Sequence, residues 1–173
     1  AQPFVDCAVK LKNKIQDPKK IRSILAKVGE GTVHRLWEPT KEKKNPSTPY
    51  SAKFSVPYCV AVGFLRGDAG LNEFNESSIK DSEILELANK VNYEVDPENE
   101  YPKNYTGTLI CETEDGTFTE HQACFRGGRK QPLTEDDMNK KYEANLKFSK
   151  ITEEEKNNLN VFIDTIFEKP DFS

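Results

Sequence analysis

The chain has 173 residues, 35% of them hydrophobic, with 25 Lys and Arg against 29 Asp and Glu and a formal net charge of −4. That length suits one domain, or one domain with a docking segment, and the acidic balance excludes nucleic acid as the main partner, since phosphate binding needs concentrated cations. Mean hydropathy is −0.76, and Lys53 and Arg66 interrupt the longest apolar run, so no membrane span is expected. No signal peptide is recognisable and the first residue is Ala1, so a fragment of a longer cytoplasmic protein is expected.

In chain order, Phe4, Cys7, Ala8, Leu11 and Ile15 recur at helical spacing, with Pro3 suited to a first turn. Residues Ile21 to Val28 read as a short strand ending at Gly29, and "GTVHRLW" as a second extended piece. From Glu38 to Tyr50 three prolines and few apolar residues predict a loop, in which Lys41, Lys43 and Lys44 are solvated. A helix is predicted from about Ser55 to Arg66, closed by Gly67. An amphipathic helix follows over Asp81 to Val91, with Asp81 or Ser82 as its cap, and then the strand "NYEV". Asp115-Gly116 separates two runs rich in Thr, Ile and Phe, a β-hairpin signal. Gly127-Gly128-Arg129 reads as a turn. Thr134 with Asp137, and Thr152 with Glu155, open two final helices in the manner of capping boxes. Elements in this order do not alternate regularly, which predicts an α+β fold with a small antiparallel sheet.

The four cysteines, Cys7, Cys59, Cys111 and Cys124, form no CxxC pair and suit free, mostly buried thiols. His34 and His121 have no partner at metal-ligand spacing, no GxSxG elbow is present, and the chemistry expected is free of metal and cofactor. Asn75 and Asn104 begin chance Asn-x-Ser/Thr matches. Tyr58 stands out. Phe54, Tyr58, Ala61, Val62 and Leu65 make one helical stripe, which by itself reads as core. Yet Tyr58 follows Pro57 in a first turn, where outward N–H groups favour an anion or a developing phenolate.

The stretch "AKFSVPYCVAVGFLRGDAGLNEF" resembles the segment of the MmgE/PrpD family in which a helix opening Ser-x-x-Tyr leads through small apolar residues into a glycine. "PFVDCAVKL", "DSEILELANKVNYEVDPENEYPKNYTGTLICETEDGTF" and "GGRKQPLTEDDMNKKYEAN" resemble further family segments, in the family's order, from Pro3 to about Ile166. The family includes 2-methylcitrate dehydratase, cis-aconitate decarboxylase and iminodisuccinate epimerase. The resemblance implies a lyase or isomerase that moves protons on small polycarboxylates without a metal. It implies a smaller α+β lid-type domain at residues 1–148 and a helix, 149–173, that returns to a large N-terminal helical domain absent from this chain. Homodimers are implied as well, and the isolated chain is expected to be inactive. Tyr58 matches the family tyrosine that projects into the cleft between domains, as a hydrogen-bond or proton donor. Lys53 and Arg66, the charged residues nearest it in sequence, are candidates to attract substrate carboxylates. Gln2 departs from a Thr-His-Pro pattern in which His is frequent. A non-catalytic α+β binding or interaction module is the competing reading, and the apolar faces Phe4/Leu11 and Phe162/Ile166 are expected to need a partner surface.

Overall fold

The computed structural model describes residues 1–168, so the end of the expected returning helix, 169–173, lies outside the described residues. Two compact units are present, Ala1–Leu133 and one beginning at Thr134. The elements of the first unit are α1 (Gln2–Lys14), β1 (Ile21–Val28), three short helices α2 (Val33–Leu36), α3 (Thr40–Lys44) and α4 (Pro49–Ala52), then α5 (Val56–Arg66), α6 (Ser82–Asn89), and strands β2 (Val91–Val95), β3 (Gly107–Thr113) and β4 (Gly116–Gln122). The second unit holds α7 (Glu135–Leu146) and α8 (Glu153–Thr165).

The fold is α+β, with one four-stranded sheet in the order β2-β1-β3-β4. β1, β3 and β4 pair antiparallel, while β2 joins β1 in parallel with Ile24 opposite Val91 and Val28 opposite Val95. The sheet is therefore mixed. A parallel neighbour requires a crossover connection, and the whole stretch from α2 to α6 supplies it. In β3, burial alternates strictly, with Leu109, Cys111 and Thr113 inward and Thr108, Ile110 and Glu112 outward. That period of two puts one face against helices and leaves the other to solvent. On the solvent face His121 Nδ1 lies 2.8 Å from Thr108 Oγ1. The hairpin loop is Glu114-Asp115, one residue earlier than expected, because Gly116 at φ +133° already faces Thr113 in the ladder.

Helix α5 runs through the middle of the unit. Every residue from Val56 to Phe64 is buried, the pattern of a helix covered all round. α1 packs along it, and Gly63 marks the contact: a Cβ there would meet Val5 Cγ1 at 3.2 Å and Val5 O at 3.3 Å. Lys12 of α1 then donates its Nζ to the Leu65 carbonyl, 2.8 Å, at the carboxyl end of α5, where a cation opposes the helix dipole. Gly67, in the left-handed region at φ +80°, closes the helix as expected. Phe4 and Leu11 are buried within this unit, so that face needs no outside partner; α5 and the sheet already cover it.

Two extended or loop expectations give way to helix. "GTVHRLW" forms a short 3₁₀ turn and α2, since Val33, Leu36 and Trp37 sit at i, i+3 and i+4 and Trp37 N–H donates to Val33 O at 2.9 Å. Within Glu38 to Tyr50 lie α3 and the start of α4, and two of its lysines are not free in solvent. Lys43 Nζ donates to the carbonyls of Arg35 (2.7 Å) and Phe54 (2.9 Å). Lys44 Nζ donates to Asn89 O (2.9 Å) and Asn92 Oδ1 (2.8 Å). Partial burial without a paired carboxylate holds both amines below the usual lysine range.

In the second unit both capping boxes form, with Thr134 and Thr152 accepting from Asp137 N–H and Glu155 N–H. Tyr142 OH donates to Asn160 Oδ1 (2.8 Å), and Lys156 pairs with Glu143 at 3.0 Å. No residue of α7 or α8 is buried, and Phe162 and Ile163 are among the exposed apolar side chains.

Two outcomes follow from this packing. Ser55→Ala removes both the α5 cap and the Ser55 hydroxyl bond to the Lys43 carbonyl, and urea denaturation should show a loss of about 1–2 kcal/mol. An unchanged midpoint would dismiss that cap. All four cysteines are free, and burial pushes the thiols up, Cys7 to about 12 and Cys59 and Cys111 to about 11. These groups ionise first in the unfolded chain, near the ordinary thiol value of 9.0. Their contribution is therefore whole below that pH and lost as pH rises through 11–12. At pH 8 a thiol reagent should titrate Cys124 at once and the other three only with unfolding; a second fast thiol would contradict the packing described.

Candidate functional site around Tyr58

Sequence places Tyr58 in the first turn of α5 for a local reason. Ser55, in extended conformation, accepts the Tyr58 N–H through its hydroxyl at 3.1 Å, and Pro57 fills a position that has no amide to satisfy. The Tyr58 N–H is thus closed by its own cap. It is not offered to an anion.

The phenol itself is fully buried. Its hydroxyl donates to the Glu73 carbonyl at 2.7 Å, and its ring lies 5.9 Å from that of Phe74. Both partners belong to the stretch between α5 and α6, which folds back over the tyrosine. That stretch is held by Asp81, the N-cap of α6, whose carboxylate accepts from Glu83 N–H and also pairs with Arg66. Glu73 is fixed in turn by the Gly70 N–H, which donates to its Oε2 at 2.8 Å.

Burial pushes the Tyr58 phenol up to about 12; Cys59, once ionised at alkaline pH, and the charges of Asp81 and Glu73 act in the same direction, with Arg66 opposing them. A phenol so placed stays protonated across the physiological range. It can donate a hydrogen bond or a proton to a strongly basic centre; it cannot serve as a phenolate base near neutrality.

The structure brings Arg66 within electrostatic range of the Tyr58 hydroxyl, but with its guanidinium already paired to Asp81. Lys53 is exposed at the carboxyl end of α4, before the first turn of α5 that carries Tyr58, and Arg66 sits in the last turn of α5. Glu73 and Asp81 are the members of this cluster that sequence reading did not assign to it. Asp81 was legible as a cap; nothing in its spacing from Tyr58 signals that the intervening loop returns it to the same place. Among the described residues no group of three or more His, Cys, Asp and Glu side chains could hold a metal ion, and no helix is long and apolar enough to cross a membrane.

Cis-aconitate decarboxylase of Mus musculus is 31% identical over 105 residues, covering 58% of this chain and 21% of that protein. Cis-aconitate decarboxylase of Homo sapiens shows the same 31% over 105 residues and the same coverage. The match spans about a fifth of the length of these curated relatives. The MmgE/PrpD C-terminal domain matches residues 1–165, and the chain belongs to the MmgE/PrpD family.

Proposed function

We propose that this chain is the C-terminal portion of a lyase or isomerase that acts on small polycarboxylates, as 2-methylcitrate dehydratase does, by acid–base chemistry with Tyr58 as a proton or hydrogen-bond donor. The observation that carries the reading is the protonated phenol at the start of α5, held by one backbone carbonyl beside an Arg66–Asp81 pair. Family membership and the decarboxylase relatives support the same class of chemistry.

The chemical logic is one of matching. Removal of a proton or of carbon dioxide next to a carboxylate leaves a carbanion or enediolate. Such a centre is far more basic than a phenolate, so a phenol near 12 still protonates it downhill. To reach substrate, the Tyr58 hydroxyl exchanges the Glu73 carbonyl for the reacting group, which requires the residues between α5 and α6 to shift. In the same reading Lys53 and Arg66 attract substrate carboxylates, Arg66 by exchanging Asp81 for one of them. The remaining acid–base groups lie on a helical domain outside this chain, to which α8 returns, and the whole enzyme is a cytoplasmic homodimer. The 173 residues alone then have no turnover.

The test is a panel of 2-methylcitrate, cis-aconitate and iminodisuccinate on the protein bearing both domains, with Tyr58→Phe alongside. Loss of the donor should lower kcat by roughly 10²–10⁴-fold on the substrate that turns over, while the fold loses only about 1 kcal/mol from the missing bond to Glu73 O. Turnover by Tyr58→Phe equal to that of the unaltered enzyme would remove Tyr58 from the chemistry. Turnover by the isolated chain would refute the division of the site between two domains.

A further inference from the structure

Between α5 and α6 the chain is held in two different ways. From Asn75 onward it is fixed to the core and to the base of α6. Ile79 is buried, Asn75 Oδ1 accepts from the Ser77 and Ser78 amides at 2.9 Å each, and Asp81 both caps α6 and pairs with Arg66. Residues 68–74 have a lighter hold. Among the described residues, the only hydrogen bond from 68–74 to any residue outside the 67–81 stretch is the one that Tyr58 donates to the Glu73 carbonyl, 2.7 Å. The other bonds are internal or run to the fixed half: Gly70 N–H donates to Glu73 Oε2 at 2.8 Å, and Asn75 Nδ2 and Ser78 Oγ donate to the Asn72 carbonyl.

Packing points the same way. Ala69 and Phe74 are partly buried against the core, with the Phe74 ring 5.9 Å from that of Tyr58, and Leu71 is exposed. One neutral hydrogen bond and two partly covered side chains are a small hold beside the nine buried residues of α5. Each end of the segment has a pivot. Gly67 stands at φ +80°, a region that glycine enters without steric cost, and at the far end the Asn75 side chain ties Asn72 to the fixed half. Opening between these pivots leaves α5 and α6 together, since the Arg66–Asp81 pair closes the base of the loop on its own.

What this segment covers is the hydroxyl assigned above to proton donation. A phenol has one proton to donate, and here the Glu73 carbonyl takes it. Carbonyl and reacting group are therefore competitors for one donor, and only the chain in which 68–74 has moved away is competent to engage substrate. The apparent affinity is then the intrinsic affinity reduced by the fraction of open chain.

We propose that residues 68–74 are a strap that opens as a local unit and gates Tyr58, so that the strength of its hold sets the apparent affinity for substrate and leaves the chemical step alone. The gate rests on the reading of Tyr58 as donor, but the opening itself is read by chemical labelling and the donor role by turnover, so the two fail separately.

The experiment treats the full chain with N-acetylimidazole, which acetylates accessible phenols, and in parallel with iodoacetamide. Tyr58 and Cys59 are followed by peptide mass, each rate being scaled to that of the urea-unfolded chain. Cys59 is the control, since it is the next residue of α5 and is buried with its thiol turned to the Ala52 carbonyl, away from the strap. Tyr58 should be at least about 100-fold less protected than Cys59, because a strap opens well short of global unfolding. Asn75→Ala, at an exposed residue, should lower Tyr58 protection by about fivefold and leave that of Cys59 unchanged. In the protein bearing both domains the same variant should lower KM by about fivefold at unchanged kcat. Equal protection of Tyr58 and Cys59, full Tyr58 protection in Asn75→Ala, or an unchanged KM beside lowered protection would each overturn the strap. Full turnover by Tyr58→Phe removes the donor role instead, and is seen without any labelling.

Discussion

A small knot of hydrogen bonds at the amino end of α5 sets most of what the first unit can do. The Ser55 hydroxyl donates to the Lys43 carbonyl and accepts the Tyr58 amide, while the Lys43 ammonium returns to the carbonyls of Phe54 and Arg35. Ser55 is fully buried, so each of these groups would be costly without its partner. A crossover that looks in sequence like a solvated loop is thereby fastened to the most buried helix of the fold. The fastening has two faces. On one, Tyr58 takes its place in the first turn; on the other, the Lys43 ammonium ties the end of α2 to the residue before the cap through the Arg35 and Phe54 carbonyls.

Burial of α5 explains why its polar chemistry is confined to its ends. Nine consecutive residues, Val56 to Phe64, meet neighbours on every side, and a charge among them would have no solvation. Tyr58 is tolerated because its hydroxyl reaches the Glu73 carbonyl beyond the edge of the core. Burial raises the phenol from its ordinary value of 10.0 to about 12, so it is a weaker acid than an exposed tyrosine, and what the fold adds is a fixed position for a group that is protonated in either setting. Arg66 shows the converse. Sited in the last turn, it gains from the helix dipole and from Asp81, and its charge is neutralised locally until something displaces that carboxylate.

What was legible in the sequence follows the range of the forces involved. α1, β1, α5, α6, the hairpin and both capping boxes rest on spacing, caps and turn residues within a few positions of one another, and each stands close to where the residues place it. The misreadings are of another kind. "GTVHRLW" carries β-branched and aromatic residues that suggest a strand, yet Val33, Leu36 and Trp37 serve a short helix whose apolar side packs on the core; Trp37 ends edge-on to Phe4 at 5.6 Å. Lys43 and Lys44 look like solvent charges until their acceptors are known, and those acceptors are carbonyls 8 to 48 residues away in sequence. The parallel pairing of β2 was hidden for the same reason, since a crossover is visible only once both its ends are placed. For the site, Tyr58 was legible through its capped first turn, but its companions Glu73 and Asp81 arrive by a loop return that no spacing rule encodes.

The second unit marks the limit of local signals. Two complete capping boxes and three acidic residues in the first turn of each helix specify α7 and α8 as strongly as short-range chemistry can. Helices of 12 and 13 residues are nonetheless marginal in water without tertiary packing. Their mutual bonds, Tyr142 to Asn160 and Lys156 to Glu143, are exposed or half-exposed, and such bonds contribute little. Phe167 keeps almost all of its surface open and Val161 and Ile163 about half or more, and burying a fully exposed side chain of this kind against an apolar neighbour adds about 1.5–3 kcal/mol. Their caps fix where each helix begins, while persistence depends on burial of apolar surface, which caps do not supply.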